Sequence, residues 1–424
     1  MTSTRLFLLL IGCVLGGVLT ACGGGGGGSG SSGAAGSAAA PAAPPNSTGT
    51  PATAAAPTSP PVIPQSSTPN VQPITVSAAP GLTRNMLTTS VTICVSGTGN
   101  CATIDNIQVD TGSQGLRVLA SALPAGLQLA ALPAGNGTAA ECAVFGSGYT
   151  WGAVRSADVR MAGQLATSIP IQLIADPAVP TVPSDCASAG LAMQSVSALR
   201  SNGILGVGLF AADCGGGCVN AALPRWYYSC TTGRACEASA QPLDQQVANP
   251  VSAFALDNNG VVIDLPAIAD AGAPSVSGSL IFGIGTQANN VLGGATVLKA
   301  NAQSGYVSTV SGGQTYSRSY LDSGSNALFF SNGSLPQCGL WYCPITPQVL
   351  SAEISGTDGT TSTLAFQIAN AQTLFNSSNN GFDNLAGIAS NSFGWGLPFF
   401  FGRRVYTAIE ARLTAAGAGP YYAF

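Results

Sequence analysis

The chain has 424 residues, 46% hydrophobic and only 7% charged, with 55 glycines, 27 prolines and a net charge of −4. That profile suits a Gly-rich, turn-rich β protein better than solvated helices, which draw on Glu and Lys, and it offers no basic field to a nucleic acid. There is no histidine, which excludes Ser-His-Asp and Cys-His catalysis, His-ligated zinc and His-ligated haem.

Arg5 precedes an apolar run over 6–19, too short for a comfortable membrane span and of the length of a signal h-region. It ends in Leu19-Thr20-Ala21-Cys22, which resembles the bacterial lipoprotein cleavage box. The resemblance implies removal of 1–21 and acyl chains on Cys22, more than one being needed for stable membrane anchoring. An ordinary signal peptide that ends near a cysteine is the alternative. Gly23 after the box leans toward the outer membrane, facing periplasm or cell surface. From 22 to 84 the chain is mostly Gly, Ser, Ala, Pro and Thr, and no basic residue lies between Arg5 and Arg84. Without apolar periodicity it reads as a disordered linker, spanning on the order of 40 Å as a flexible coil.

From 85 onward short β-type runs alternate with Gly, Asn, Ser and Pro turns. Residues 89–95 read as a strand, 96–100 as a turn and 103–109 as the return strand. This leads into Asp110-Thr111-Gly112-Ser113, followed by an apolar run broken by Arg117. Val144-Phe145-Gly146-Ser147-Gly148-Tyr149 suggests a hairpin with a mobile tip. Residues 157–163 alternate as a strand, and Gly203-Ile204-Leu205-Gly206-Val207-Gly208 is an apolar strand with glycines for close backbone approach. Further on come Gly278-Ser279-Leu280-Ile281-Phe282-Gly283 and then Asp322-Ser323-Gly324-Ser325, again before an apolar run.

This ordered series, closed by 394–400 and 405–410, resembles the pepsin-like aspartic peptidases, here in an uncharacterised group of bacterial lipoproteins. It covers roughly 86–424 as short motifs. The resemblance implies an all-β, bilobal acid-protease fold, with pseudo-twofold related lobes at 85–290 and 291–424 and a cleft between them. It implies that Asp110 and Asp322 meet as the catalytic pair, sharing one proton and activating a water against a peptide bond. Thr111 and Ser323 then lock the two loops, Gly112 and Gly324 admit backbone amides, and Ser113 and Ser325 bond the outer carboxylate oxygens. Phe145 and Gly146 fall on the flap over the cleft; Phe145 stands where the family carries a tyrosine, and Tyr149 is the nearby hydroxyl that could substitute. The linker holds no basic residue to cover the carboxylates as a prosegment does. An extended peptide or protein is the expected substrate, with no cofactor and no metal, the chain being a monomer. Two other readings stay open: an inactive pepsin-like fold binding peptide or carbohydrate at the cell envelope, and a β-rich surface lipoprotein without enzymatic role.

Setting aside Cys13 and Cys22 leaves ten of the 12 cysteines, an even number in an exported chain. Spacing favours Cys94 with Cys101, Cys214 with Cys218, Cys230 with Cys236 and Cys338 with Cys343, leaving Cys142 and Cys186 as a longer pair, although sequence does not fix connectivity. A metal site from Cys214, Cys218, Cys230 and Cys236 competes, but lacks the usual two-residue gaps. Residues 210–241 read as an insertion stapled by these cysteines. Trp226-Tyr227-Tyr228 and Trp341-Tyr342 read as packing on disulfides rather than as ligand platforms.

Overall fold

A computed structural model describes residues 65–78, 81, 83–231 and 235–424. The expected leader 1–21, the lipidation position Cys22 and most of the expected linker lie outside the described residues. The described chain is mostly β-strand, and among the described residues no helix is long and apolar enough to cross a membrane. Strands form where apolar and polar residues alternate, since successive side chains point to opposite faces. In Gln348–Ser355, for example, Ala352 and Ile354 are buried while Ser351 and Glu353 face out.

One sheet of 17 strands takes every strand from Val71 to Lys299, and then Arg403–Ala408 and Tyr421–Ala423. A 9-stranded sheet takes the strands between Val307 and Trp395. The chain passes from the first sheet to the second between Lys299 and Val307. Arg403–Ala408 pairs with Gly260–Leu265, and Val297–Lys299 pairs with Tyr421–Ala423, so the chain end returns to the first sheet. One hydrophobic cluster takes residues from both, from Val91, Ile107 and Leu205 to Leu328, Phe393 and Trp395.

The linker expected over 22–84 is too long at its C-terminal end. Val71–Val76 is a strand that buries Ile74 and Val76 and pairs antiparallel with Val276–Phe282, from Val71↔Ile281 to Val76↔Val276. One six-residue alternating run is enough to join a sheet when a partner edge waits for it. Pro73 has no amide to give this ladder, and its carbonyl accepts from Thr89 Oγ1 at 2.8 Å.

Five disulfides join Cys94–Cys101, Cys142–Cys186, Cys214–Cys218, Cys230–Cys236 and Cys338–Cys343, the pairs that spacing favours. The four thiols of the competing metal site are thereby consumed. The stapled segment 210–241 contributes a strand, Tyr227–Cys230, which lies antiparallel on Gly137–Phe145. Its aromatics pack as expected: Trp226 and Tyr227 cluster with Cys214 and Cys218, Tyr228 with Cys142 and Cys186.

Candidate active site

Two similar strand arrangements present the two Asp residues. Asp110 ends the strand Cys101–Asp110, and Gln114–Leu119 leaves from the far side of the turn. Gly203–Val207 fits between them, parallel to the first with Gly206↔Asp110 and antiparallel to the second with Gly206↔Gly115. Asp322 follows the strand Gln314–Leu321, and Leu328–Phe330 comes next. Here Phe393–Trp395 lies parallel to the first with Leu321↔Trp395 and antiparallel to the second with Phe329↔Gly394. The first middle strand, and the residue just past the second, come close enough to need glycine. A Cβ on Gly206 would stand 2.6 Å from the Gln114 carbonyl carbon, and one on Gly396 2.1 Å from the Ala327 oxygen.

The two turns are tied to each other by a reciprocal set of hydrogen bonds. Thr111 Oγ1 donates to the Leu321 carbonyl at 3.0 Å and accepts from the Ser323 amide at 3.0 Å. Ser323 Oγ donates to the Val109 carbonyl at 2.8 Å and accepts from the Thr111 amide at 3.1 Å. Both hydroxyls are buried, so each of these bonds is made away from water, where leaving a partner unpaired is costly. Within each turn the carboxylate is held in the same way. Asp110 Oδ1 accepts from the Gly112 amide at 2.8 Å, and its Oδ2 accepts from Ser113 Oγ at 2.6 Å. Asp322 Oδ1 accepts from the Gly324 amide at 2.8 Å, and its Oδ2 accepts from Ser325 Oγ at 2.6 Å. Each turn glycine faces the opposite carboxyl: a Cβ on Gly112 would lie 2.6 Å from Asp322 Cγ, and one on Gly324 2.5 Å from Asp110 Oδ1.

The structure thus brings Asp110 and Asp322 together, each carboxyl lying against the glycine of the opposite turn. Asp110 is buried while Asp322 is half-buried, so solvent reaches the pair from one side. Burial, and then the neighbouring Asp322 charge, push Asp110 from 3.8 to about 8 against the opposing bonds from Ser113 and Gly112. Two like charges in contact and out of water repel, which is the physical origin of that rise. Two tyrosines feel Asp322: burial first, and then its carboxylate, push the Tyr320 and Tyr422 hydroxyls upward.

Two supports escaped the sequence reading. Gln108 Nε2 donates to the Gly324 carbonyl at 2.8 Å, and Asn85 Nδ2 donates to the carbonyls of Asn326 at 2.9 Å and Phe382 at 2.8 Å. Both belong to the first part of the chain and brace the second turn.

The expected flap is a hairpin, Gly137–Phe145 with Gly148–Met161, and Gly146 and Ser147 are exposed at its turn. Phe145 is half-buried, and the Arg117 guanidinium carbon lies 5.7 Å from its ring centroid. Tyr149 is placed differently from expectation. It is buried with Cys142, Cys186 and Trp151, with Val144 opposite and Leu191 and Met193 bonded to its backbone. Its position on the returning strand turns it into the disulfide cluster.

Among the described residues no group of His, Cys, Asp or Glu could hold a metal ion. A cavity of about 140 Å³ is lined by Phe366, Trp395, Phe399, Asp270, Asp383 and Arg403, and by neither residue of the Asp pair. The chain belongs to a protein family described as "Protein of unknown function (DUF3443)", whose profile matches residues 66–424. No curated protein matches the chain.

Proposed function

We propose that this member of the family is an aspartic endopeptidase of the pepsin-like, two-lobed type, anchored to the cell envelope through Cys22. The observation that carries the reading is the carboxyl pair itself, in which two Asp residues stand together on separate, mutually bonded turns. In this reading a water sits between the two carboxyls. The ionised member takes a proton from the water, the resulting oxygen nucleophile attacks the peptide carbonyl carbon, and the protonated member gives its proton to the carbonyl oxygen. Collapse of the tetrahedral species returns a proton to the leaving amine and breaks the C–N bond. The bonds from Gly112, Ser113, Gly324 and Ser325 hold the carboxyls in place through this exchange. The lobes at 85–290 and 291–424, and an extended peptide lying between them, belong to the same proposal.

A second reading is favoured by one observation: Phe145 brings no hydroxyl to the hairpin end. A pepsin-like fold that binds peptide or carbohydrate without cleaving it would keep the pair and lose turnover. The deciding experiment is cleavage of a peptide library by the purified protein, with and without a pepstatin-like inhibitor. Cleavage that the inhibitor blocks, and that Asp110→Ala and Asp322→Ala each abolish while folding, is the expected result. Inhibitor binding without cleavage moves the assignment to the binder. Neither binding nor cleavage leaves a surface lipoprotein.

A further inference from the structure

In a chain with so few charges, one buried group holds three. Arg117 is 3% exposed, Glu141 0% and Asp213 6%. Arg117 donates to Glu141 at 2.5 Å and to Asp213 at 3.0 Å, and to the Gln114 carbonyl at 2.6 Å. The Tyr227 hydroxyl donates to Asp213 at 2.6 Å and accepts from the Val247 amide at 2.7 Å. A buried ion pair is weak evidence for stability, because desolvation offsets much of the attraction. A cluster that costs this much to bury calls for another reason, and its placement supplies one.

The members come from three elements. Arg117 lies on the strand that leaves the Asp110 turn, and the Gln114 carbonyl it bonds is one residue beyond Ser113. Glu141 lies on the first strand of the 137–161 hairpin, on the same face as Phe145 by the two-residue alternation of a strand. Asp213 and Tyr227 come from the disulfide-stapled segment, where Tyr227 pairs in register with Glu141. The guanidinium is therefore clamped at its edge by two carboxyl groups and presents toward the Phe145 ring at 5.7 Å. A cation held in the dry against an aromatic ring is attracted more strongly than one in water.

We propose that Arg117 is the positioning residue of the hairpin: clamped by Glu141 and Asp213, it carries Phe145 and sets where the hairpin end stands relative to the Asp110 turn. The stapled segment then acts as the brace that keeps the cation in place. A phenylalanine suffices at 145 because the hairpin is held by ring and charge and not by a hydroxyl. The relevance of this placement to turnover rests on the peptidase reading; the placement itself does not.

Hydrogen exchange of the 146–152 amides, measured in the full chain, tests the contact without any substrate. Phe145→Leu keeps an apolar side chain and leaves the buried charges untouched. It is expected to speed exchange of those amides about fivefold, while amides of Gln314–Leu321 stay as they were. Phe145→Tyr, which restores a ring, is expected to restore wild-type protection. In the neutral background Arg117→Met, Glu141→Gln, Asp213→Asn, adding Phe145→Leu is expected to change nothing further. Equal protection in Phe145→Leu and wild type, or equal loss in Phe145→Leu and Phe145→Tyr, overturns the proposal. So does an additive effect in the neutral background. If that background does not fold, the comparison of Leu with Tyr still decides. A chain that cleaves nothing but shows this pattern refutes the peptidase reading and leaves Arg117 in its role.

Discussion

Replacing Asp110 by Asn separates the proton held at Asp110 from the rest of the fold. The sign follows from the folded-state shift. Asp110 rises from 3.8 to about 8, so between those values the folded chain holds a proton that the unfolded chain releases. Stability contributed by this site is complete below about pH 4 and is lost as pH rises through 8. A shift of that size converts to a ceiling of about 6 kcal/mol, and partial solvation through the half-exposed side of Asp322 brings the share that survives to about 3 kcal/mol. Asn is neutral at every pH and can still accept from the Gly112 amide, at a cost of about 1 kcal/mol for imperfect bonding elsewhere. Burial and the Glu141 charge also push Asp213 upward, so a slope of the same sign remains in the variant. Urea unfolding of wild type and Asp110→Asn from pH 4 to 8, with disulfides intact, measures the difference. The wild type is expected to lose stability with rising pH more steeply than the variant, the two curves crossing so that the variant is the more stable at pH 8. Parallel curves, or a wild type that gains stability over this range, refute a proton held at Asp110.

Gly324→Ala drives a methyl to 2.5 Å from Asp110 Oδ1, and is expected to cost about 1–3 kcal/mol in urea unfolding and to abolish peptide cleavage. Unchanged stability contradicts the contact. Thr111→Val and Ser323→Ala each open the reciprocal bonds, at about 1–3 kcal/mol apiece, and the double variant is expected to be less than additive by about 1 kcal/mol or more. Strict additivity means that the two hydroxyls do not act together. Replacing Cys142 and Cys186 by Ala removes a link spanning 44 residues and is expected to cost about 2–5 kcal/mol, read as a lower urea midpoint.

The Asp turns were legible because each packs its chemistry into four consecutive residues whose roles are local: a carboxylate, a hydroxyl, a glycine that admits the opposite carboxyl, and a serine. The disulfides were legible for a similar reason, since four of the five close within 7 residues of sequence. Pairings set by distant register were not. Nothing in Val71–Val76 announces a distant partner in Val276–Phe282, and nothing in Arg403–Ala408 announces its return to Gly260–Leu265. Tyr149 was misplaced because the hairpin turn falls at Gly146 and Ser147, which fixes the face onto which every later side chain points. The Arg117 cluster did leave a trace. Arg117, Glu141 and Asp213 each interrupt an apolar or small-residue run, and a charge in such a setting must find a partner of opposite sign.

The most direct test of the whole assignment is the initial rate of peptide cleavage at mildly acidic pH for wild type, Asp110→Asn and Asp322→Asn, all confirmed as folded. Cleavage by wild type with loss of at least about a thousandfold in both variants is the expected result. Equal cleavage by all three, or no cleavage by any, contradicts a peptidase built on this pair.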